Sequence, residues 1–550
     1  MSMKKVWSLF VALLIALSML PVSGMAADAD FTGIGVVHTT AGDVSGVPGA
    51  LANVTVFKGV PYAAAPVGDL RWKEPQDVEP WEGVRVCDTY APAAIQPPYA
   101  QFMMRPGSDF YPAGAPEQSE DCLYLNITTP ATSADEKLPV MVWFHGGGLA
   151  HGYSWQVPFE GDKLAENGVI VVTVGHRLGV FGFLALPQLS QESEYGASGN
   201  YGFMDCIKSV QWVHDNIAAF GGDPDRITVF GQSGGRLKTA VTVAAPQTQG
   251  MIAGFMNQSV FPEFDSKVAP VNAMAFSSNT LEESEQQGVA ALEAMGLSAD
   301  ISLEELRAMP AEDLNTNELL GAAGAVTIDG KYVTGRLSDF FLGEGNLNGI
   351  AQVAGWVYGE RGSYEAKTPE ELFAMVRADY GDELVDKYDL EHTLPVTQAN
   401  VGWYNLYLKN AAAMDELRLF AKLKAERNEN SPTYLYTFGR VTPNKDMGWH
   451  SGELWYVFNE LGYSFQGMDA EWQPAWEVYD YMVGDMTSAY WANFAKSGDP
   501  NGEGLAEWPV TTADAQPYEY IDVMSTSMEG NTSFDAMMTE YYMNLYSLAE

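Results

Sequence analysis

Residues 226–240 read RITVFGQSGGRLKTA. An apolar, β-branched run, Ile227-Thr228-Val229-Phe230, stops at a glycine, and one serine, Ser233, stands between Gly231 and the pair Gly234-Gly235. A strand that turns sharply into a helix packs its turn residue against both elements. Small neighbours two positions before and after make room for that turn, and the serine hydroxyl is pushed out at the C-terminal end of the strand. This is the pattern G-x-S-x-G of a nucleophile elbow. Short glycine–serine strings also arise in ordinary turns; here the flanks are a strand-like run before and a helix-compatible run after. Arg236 then places a long cation in the first helical turn, against the positive end of the helix dipole, at typically about 0.3–1 kcal/mol. Burying an unpaired guanidinium costs far more, so Arg236 needs an acidic partner or a route to solvent. Two roles stay open for it: a structural ion pair, or a reach into a pocket that favours substrates carrying a carboxylate.

A nucleophilic serine needs a base, an acid to orient that base, and donors for an oxyanion. The donors stand upstream. In VMVWFHGGGLAHG, His145-Gly146-Gly147-Gly148 follow a buried strand run, and glycines let backbone N–H groups approach a carbonyl oxygen closely, as in an HGGG-type oxyanion loop. Around these motifs PVMVWFHGG, GVIVVTVGHRLG and ITVFGQSGG read as buried strands. GIGVVHTTAGDV, VTVFKGVPYA and LYLNITTP are shorter β-like runs. Between the second and third buried strands, Ile207, Val210, Val213 and Ile217 follow helical spacing. Buried strands alternating with amphipathic helices predict an α/β fold with a large, mostly parallel sheet. LEESEQQGVAALEAMG and TPEELFAMVRADYGDEL read as helices of cap insertions over the strand ends, and SPTYLYTFGRV as a further strand.

The bulk properties narrow the function. The chain has 550 residues, 47% hydrophobic and 18% charged, enough for a large core. Its net charge of −41, spread along the chain, argues against a nucleic-acid backbone or an anionic membrane as partner. MSMKK, the apolar run VWSLFVALLIALSML, Pro21, and small residues at Gly24 and Ala26 form a secretory signal peptide, expected to be cut after Ala26. The expected organisation is thus 1–26 signal peptide and 27–550 one catalytic domain, secreted or periplasmic. No later run is apolar and long enough to span a bilayer. Three cysteines, Cys87, Cys122 and Cys206, allow at most one bridge, and none sits in a zinc-like cluster.

Together these segments resemble the type-B carboxylesterases, the α/β-hydrolase family that includes the cholinesterases and bacterial p-nitrobenzyl-type esterases. SEDCLYLNI (119–127) is similar to the family's second signature, and residues 195–235 resemble its elbow segment nearly end to end. WKEPQ, MNQSV and WANFAKSGDPNGEGLAEWP are further matches. The resemblance implies an acid in AGWVYGERGSY, where Glu360 keeps the family's step from glycine to acid although Arg361 replaces the usual next glycine. Glu365 is the reserve candidate. It implies a base in GWHSGELWYVF, His450. The order Ser233, Glu360, His450 is that of α/β-hydrolases. The oxyanion donors implied are the backbone N–H groups of Gly147, Gly148 and Gly234, with an acyl-enzyme intermediate and no metal or organic cofactor. The cysteine that the family often pairs with Cys122 is replaced by Ala94, so free buried thiols are expected, with Cys87 the one alternative partner. The family usually has glycine or alanine at the position of Arg236.

The expected function is a secreted serine carboxylic-ester hydrolase acting on a small-molecule ester. The alternatives are a catalytically silent cholinesterase-like binding or adhesion protein, which usually loses triad members, or an amide or carbamate hydrolase or acyltransferase using the same triad.

Overall fold

The apolar run before Ser233 becomes the middle strand of an 11-stranded sheet. The computed structural model describes residues 33–51, 53–97, 116–259, 278–428, 430–443, 445, 448–461, 475–530 and 532–546. The signal-peptide segment 1–26 lies outside the described residues. In chain order the strands are β1 (Val47–Pro48), β2 (Thr55–Pro61), β3 (Tyr124–Thr129), β4 (Leu138–Phe144), β5 (Ile170–Val174), β6 (Gly222–Gln232), β7 (Ile252–Gln258), β8 (Ala351–Val357), β9 (Thr433–Phe438), β10 (Tyr518–Ile521) and β11 (Thr526–Met528). Across the sheet they lie β11-β10-β9-β8-β7-β6-β4-β5-β3-β2-β1. From β10 to β5 every neighbouring pair is parallel, and antiparallel pairs close both edges.

The central strands are apolar on both faces because both faces are covered. Val140, Val142 and Phe144 of β4 enter one core cluster, together with Ile227 and Val229 of β6. The alternate residues Met141, Trp143 and Phe230 enter another. That division follows from side chains alternating across a strand. The first cluster is covered by α1 (Tyr201–Asn216), whose Ile207, Val210 and Val213 are buried as their spacing predicts, and by α2 (Gly234–Ala244). Later in the chain than Ser233, α3 (Leu281–Ala294) starts at a capping box between Thr280 and Glu283. It packs Leu292 with Leu184, Leu186, Leu306 and Leu319 as a smaller core of its own. The helix α4 (Pro369–Tyr380) instead sends Leu372, Phe373 and Val376 into the main cluster. There it joins α5 (Val401–Arg427) and α7 (Ser533–Leu545), while α6 (Val478–Ser497) covers the opposite face.

Register aligns the strand ends that matter. Gly231 of β6 is level with Phe144 of β4 and with Asn257 of β7, and Gln258 of β7 is level with Gly355 of β8. The turns after β4, β6, β7 and β8 therefore leave the sheet side by side at its C-terminal edge. Cys87, Cys122 and Cys206 are all free and buried, and burial pushes the Cys122 thiol well above its ordinary range. The sequence has four N-x-S/T sequons, at Asn53, Asn126, Asn257 and Asn531. Asn53 is exposed, Asn126 and Asn257 are buried inside β3 and β7 and closed to modification in the folded protein, and Asn531 lies outside the described residues. Among the described residues no helix is long and apolar enough to cross a membrane.

Candidate active site

Ser233 sits between the end of β6 and the start of α2 with φ 56° and ψ −122°, a conformation that costs a non-glycine residue on the order of 1–3 kcal/mol. The neighbouring glycines explain how the chain holds it there. A Cβ at Gly231 would collide with the carbonyl of Gly235, and one at Gly235 with the carbonyl of Phe144. A Cβ at Gly234 would collide with the carbonyl of Gly148. Each small residue around the serine thus lets one backbone touch another: strand against helix, and helix against the loop after β4.

That loop is 145–148. Gly147 and Gly148 adopt φ values of 90° and 65°, and the Gly147 carbonyl accepts from the amide of His151 at 2.9 Å. The loop folds back on itself beside the first turn of α2, where the Gly148 backbone lies against Gly234. The Ser233 amide itself donates to Gln258 O at 3.1 Å, fixing the elbow to β7.

From the neighbouring strand ends come two further groups. His450 Nδ1 lies 3.0 Å from Glu360 Oε2, and the Glu360 side chain is only 2% exposed. Ser259, directly after β7, donates its hydroxyl to the same Glu360 oxygen at 3.1 Å. The other imidazole nitrogen, Nε2, lies 3.4 Å from the side-chain nitrogen of Gln232, the residue before Ser233. Gln232 in turn donates to Ser259 Oγ at 2.8 Å, so elbow and acid share a hydrogen-bonded neighbour. Among the described residues the Ser233 hydroxyl makes no hydrogen bond; unliganded hydrolases often leave the serine–histidine bond long and tighten it around substrate.

The electrostatics suit a base that gains a proton during reaction. Burial pulls the His450 pKa down, but the charge and hydrogen bond of Glu360, with the charge of Glu453, outweigh it and leave the imidazole above its ordinary range. Glu453 is fully buried; burial first, then the charge of Glu360, pushes its carboxyl up to about 8. Gln258 donates to it at 3.4 Å.

The sequence and structure were compared with known proteins. The profile of the carboxylesterase family matches residues 34–324 and 360–539. The chain belongs to the carboxylesterase family. A fumonisin B1 esterase from Sphingopyxis macrogoltabida is 32% identical over 500 residues, covering 86% of this chain and 84% of that protein. A Homo sapiens cocaine esterase is 30% identical over 514 residues, covering 86% and 85%. Among solved structures, a PNB esterase superposes with a TM-score of 0.69 at 28% identity, covering 92% of this chain and 99% of that one. The protein is a carboxylic-ester hydrolase with an α/β-hydrolase fold.

In this carboxylesterase the structure brings together Glu360 and His450 beside the Ser233 elbow, and Gly147, Gly148 and Gly234 beside each other. Glu365, the reserve acid, is exposed, and the histidine faces Glu360 instead. Arg361, the departure next to the acid, lies over the Trp356 ring at 5.2 Å from its centroid. Arg236 is buried, 2% exposed, in the first turn of α2. Three neighbours went unread in the sequence: Ser259, Glu453 and Lys238. Ser259 lies inside MNQSV and Glu453 inside GWHSGELWYVF, two segments that carried the family likeness. Lys238 gave the plainer signal, a charge in the otherwise apolar and small run LKTAVTVAA.

Proposed function

We propose that this carboxylesterase is an exported serine esterase that cleaves small-molecule esters through Ser233, His450 and Glu360. His450 accepts the Ser233 proton while Oγ attacks the ester carbonyl. The amides of Gly147, Gly148 and Gly234 receive the negative oxygen of the tetrahedral intermediate. The intermediate collapses, His450 returns the proton to the departing alcohol, and the acyl group stays on Ser233. Water, activated by the same imidazole, releases the acid. Glu360 holds the Nδ1–H tautomer and stabilises the imidazolium. The observation that carries this reading is the 3.0 Å contact from His450 Nδ1 to a buried carboxylate, with the opposite ring nitrogen facing the elbow. The esterase relatives support small-molecule esters as the substrate class. Export rests on the N-terminal signal-peptide pattern.

The test is hydrolysis of a panel of p-nitrophenyl and aryl esters. Ser233→Ala is expected to lose at least about a thousandfold in kcat while keeping its fold, and an organophosphate is expected to label Ser233. Full turnover by Ser233→Ala refutes the mechanism. A p-nitroanilide and an added alcohol acceptor in the same assay separate ester hydrolysis from amide cleavage and acyl transfer. Sequencing the N-terminus of protein recovered outside the cytoplasm is expected to give Ala27 as the first residue.

A further inference from the structure

The oxyanion region is assembled from two pieces of chain. Gly147 and Gly148 belong to the loop after β4, and Gly234 to the first turn of α2. Amides that stabilise an oxyanion act only when their donors converge on one point to within a fraction of an ångström. Glycine makes the loop able to take its shape and equally able to leave it. Something must hold loop and helix in a fixed relation.

Lys238 sits where such a tie belongs. It lies four residues after Gly234, on the same face of α2. Its side chain is fully buried, and Nζ donates to the carbonyl oxygen of His145 at 2.9 Å. His145 is the residue that opens the glycine loop. Its ring is stacked on that of His176, with centroids 4.5 Å apart and planes at 12°, and its Nδ1 lies 2.9 Å from Gly146 O. The groups facing Lys238 are therefore His145 from the loop after β4, His176 from the turn after β5, and Cys206 from α1. Burial first, then the Lys238 charge, holds both imidazoles well below their ordinary range, so neither competes as a cation. Burial also brings the Lys238 amine down to about 7, with Cys206 opposing. A buried amine is a costly group at a site where an apolar side chain of equal length would pack without that cost.

We propose that Lys238 is a positioning residue for ester hydrolysis: from the helix that carries Ser233 and the Gly234 amide, it grips the His145 carbonyl and fixes the glycine loop, so that the loop donors and the helix donor meet the same oxyanion. The inference rests on the serine-esterase reading of this site. Lys238 touches no reacting atom. It acts through the loop, and the energy it controls appears only when negative charge develops on the substrate oxygen.

The experiment is Lys238→Met, which keeps the length of the side chain and removes its donors. Turnover of p-nitrophenyl acetate, inhibition by a trifluoromethyl ketone that forms a tetrahedral adduct with serine, and thermal unfolding are measured together. The expected result is a fall in kcat of at least about tenfold, since displacement of catalytic groups by an ångström costs up to about a hundredfold. KM is expected to stay within about threefold, and affinity for the ketone to fall by the same factor as kcat/KM. The melting temperature is expected to hold or rise, because a buried amine has been replaced by an apolar group. Turnover within about threefold of wild type overturns the proposal, as does a loss of kcat accompanied by unchanged ketone affinity. Lys238→Leu, which likewise removes the donors, is read by the same thresholds and carries the test where the Met variant does not fold. Ser233→Ala in the same assay separates the two levels of the argument. If it still hydrolyses ester, the serine-esterase reading fails; if it is dead while Lys238→Met is fully active, the positioning role alone falls.

Discussion

At the scale of single residues, the pH at which His450 loses its proton reports on its partners. A general base works neutral, so kcat/KM rises as pH passes the free-enzyme pKa of that base. Burial alone would lower it, but the Glu360 carboxylate and Glu453 reverse the sign. The acid limb of the pH profile is therefore expected above the ordinary histidine value of about 6.5. Glu360→Gln removes the charge that reverses the sign, so the limb is expected to move down by at least about one unit and kcat to fall by about a thousandfold or more. Glu365→Gln, at an exposed position, is expected to leave both unchanged. A limb that follows Glu365 instead transfers the acid role. The serine candidate was legible from the small residues around its turn, whereas the acid and base candidates were legible only through the family resemblance of the segments that hold them, AGWVYGERGSY and GWHSGELWYVF. Ser259 and Lys238 were not legible as site residues, because their partners Glu360 and His145 are 101 and 93 residues away in sequence. Only the register of β4, β6, β7 and β8 makes them neighbours.

At the scale of elements, the strands before the glycine loop and the elbow were readable as continuous apolar runs, α1 from its helical spacing, and α3 as a helical stretch. The 27-residue helix α5 was not. It is enclosed on many sides, so its buried positions do not form one stripe, and they include Asn410, Asp415, Glu416 and Lys424 as well as Leu408 and Leu417. A helix surrounded by protein loses the single apolar face on which a periodicity argument depends. Its polar residues are readable only through their partners: Asn410 accepts from the Gly359 amide at 2.9 Å, one residue before Glu360, and so ties α5 to the acid turn. Lys424 donates to Thr433 Oγ1 at 2.6 Å at the start of β9, and burial lowers its amine to about 7. A lysine titrating lower when folded than when unfolded binds fewer protons in the fold, so its cost is full below about pH 7 and disappears as pH rises toward the unfolded value of about 10.4. Lys424→Met removes that dependence and leaves the Thr433 hydroxyl without its donor. In denaturant unfolding, the stability of Lys424→Met relative to wild type is expected to fall by a few kcal/mol between pH 7 and pH 10. A difference that stays flat across that range means that the folded amine keeps an ordinary pKa and stays charged up to pH 10, as a hydrated group would.

At the scale of the whole molecule, 71 acidic residues face 30 basic ones. The basic side chains are further spent in ion pairs: Arg177 with Asp205, Arg71 with Glu120, Arg307 with Glu192, and Arg377 with Asp382, Asp386 and Glu391. The surplus is negative and spread along the chain, so its long-range field repels anions and draws in cations, an effect on encounter more than on bound geometry. Screening removes it, since the Debye length falls from about 30 Å at 0.01 M salt to about 3 Å at 1 M. Three p-nitrophenyl esters of similar size isolate the effect: a neutral one, one whose acyl chain ends in a carboxylate, and one whose acyl chain ends in trimethylammonium. As salt rises over that range, kcat/KM for the cationic ester is expected to fall by about threefold or more, that for the anionic ester to rise by a similar factor, and that for the neutral ester to stay nearly level. Arg236 supplies the local counterpart. A buried structural guanidinium, once replaced in Arg236→Gly, lowers the melting temperature and leaves the ranking of the three esters intact. A guanidinium reaching substrate selectively weakens the anionic ester, and that loss persists at high salt because a short-range contact is screened far less than a long-range field. Burial of Arg236 at 2% exposure argues for the first outcome. Equal salt slopes for all three esters would mean that the negative surplus lies away from the mouth of the site, and that the charge of this carboxylesterase serves solubility alone.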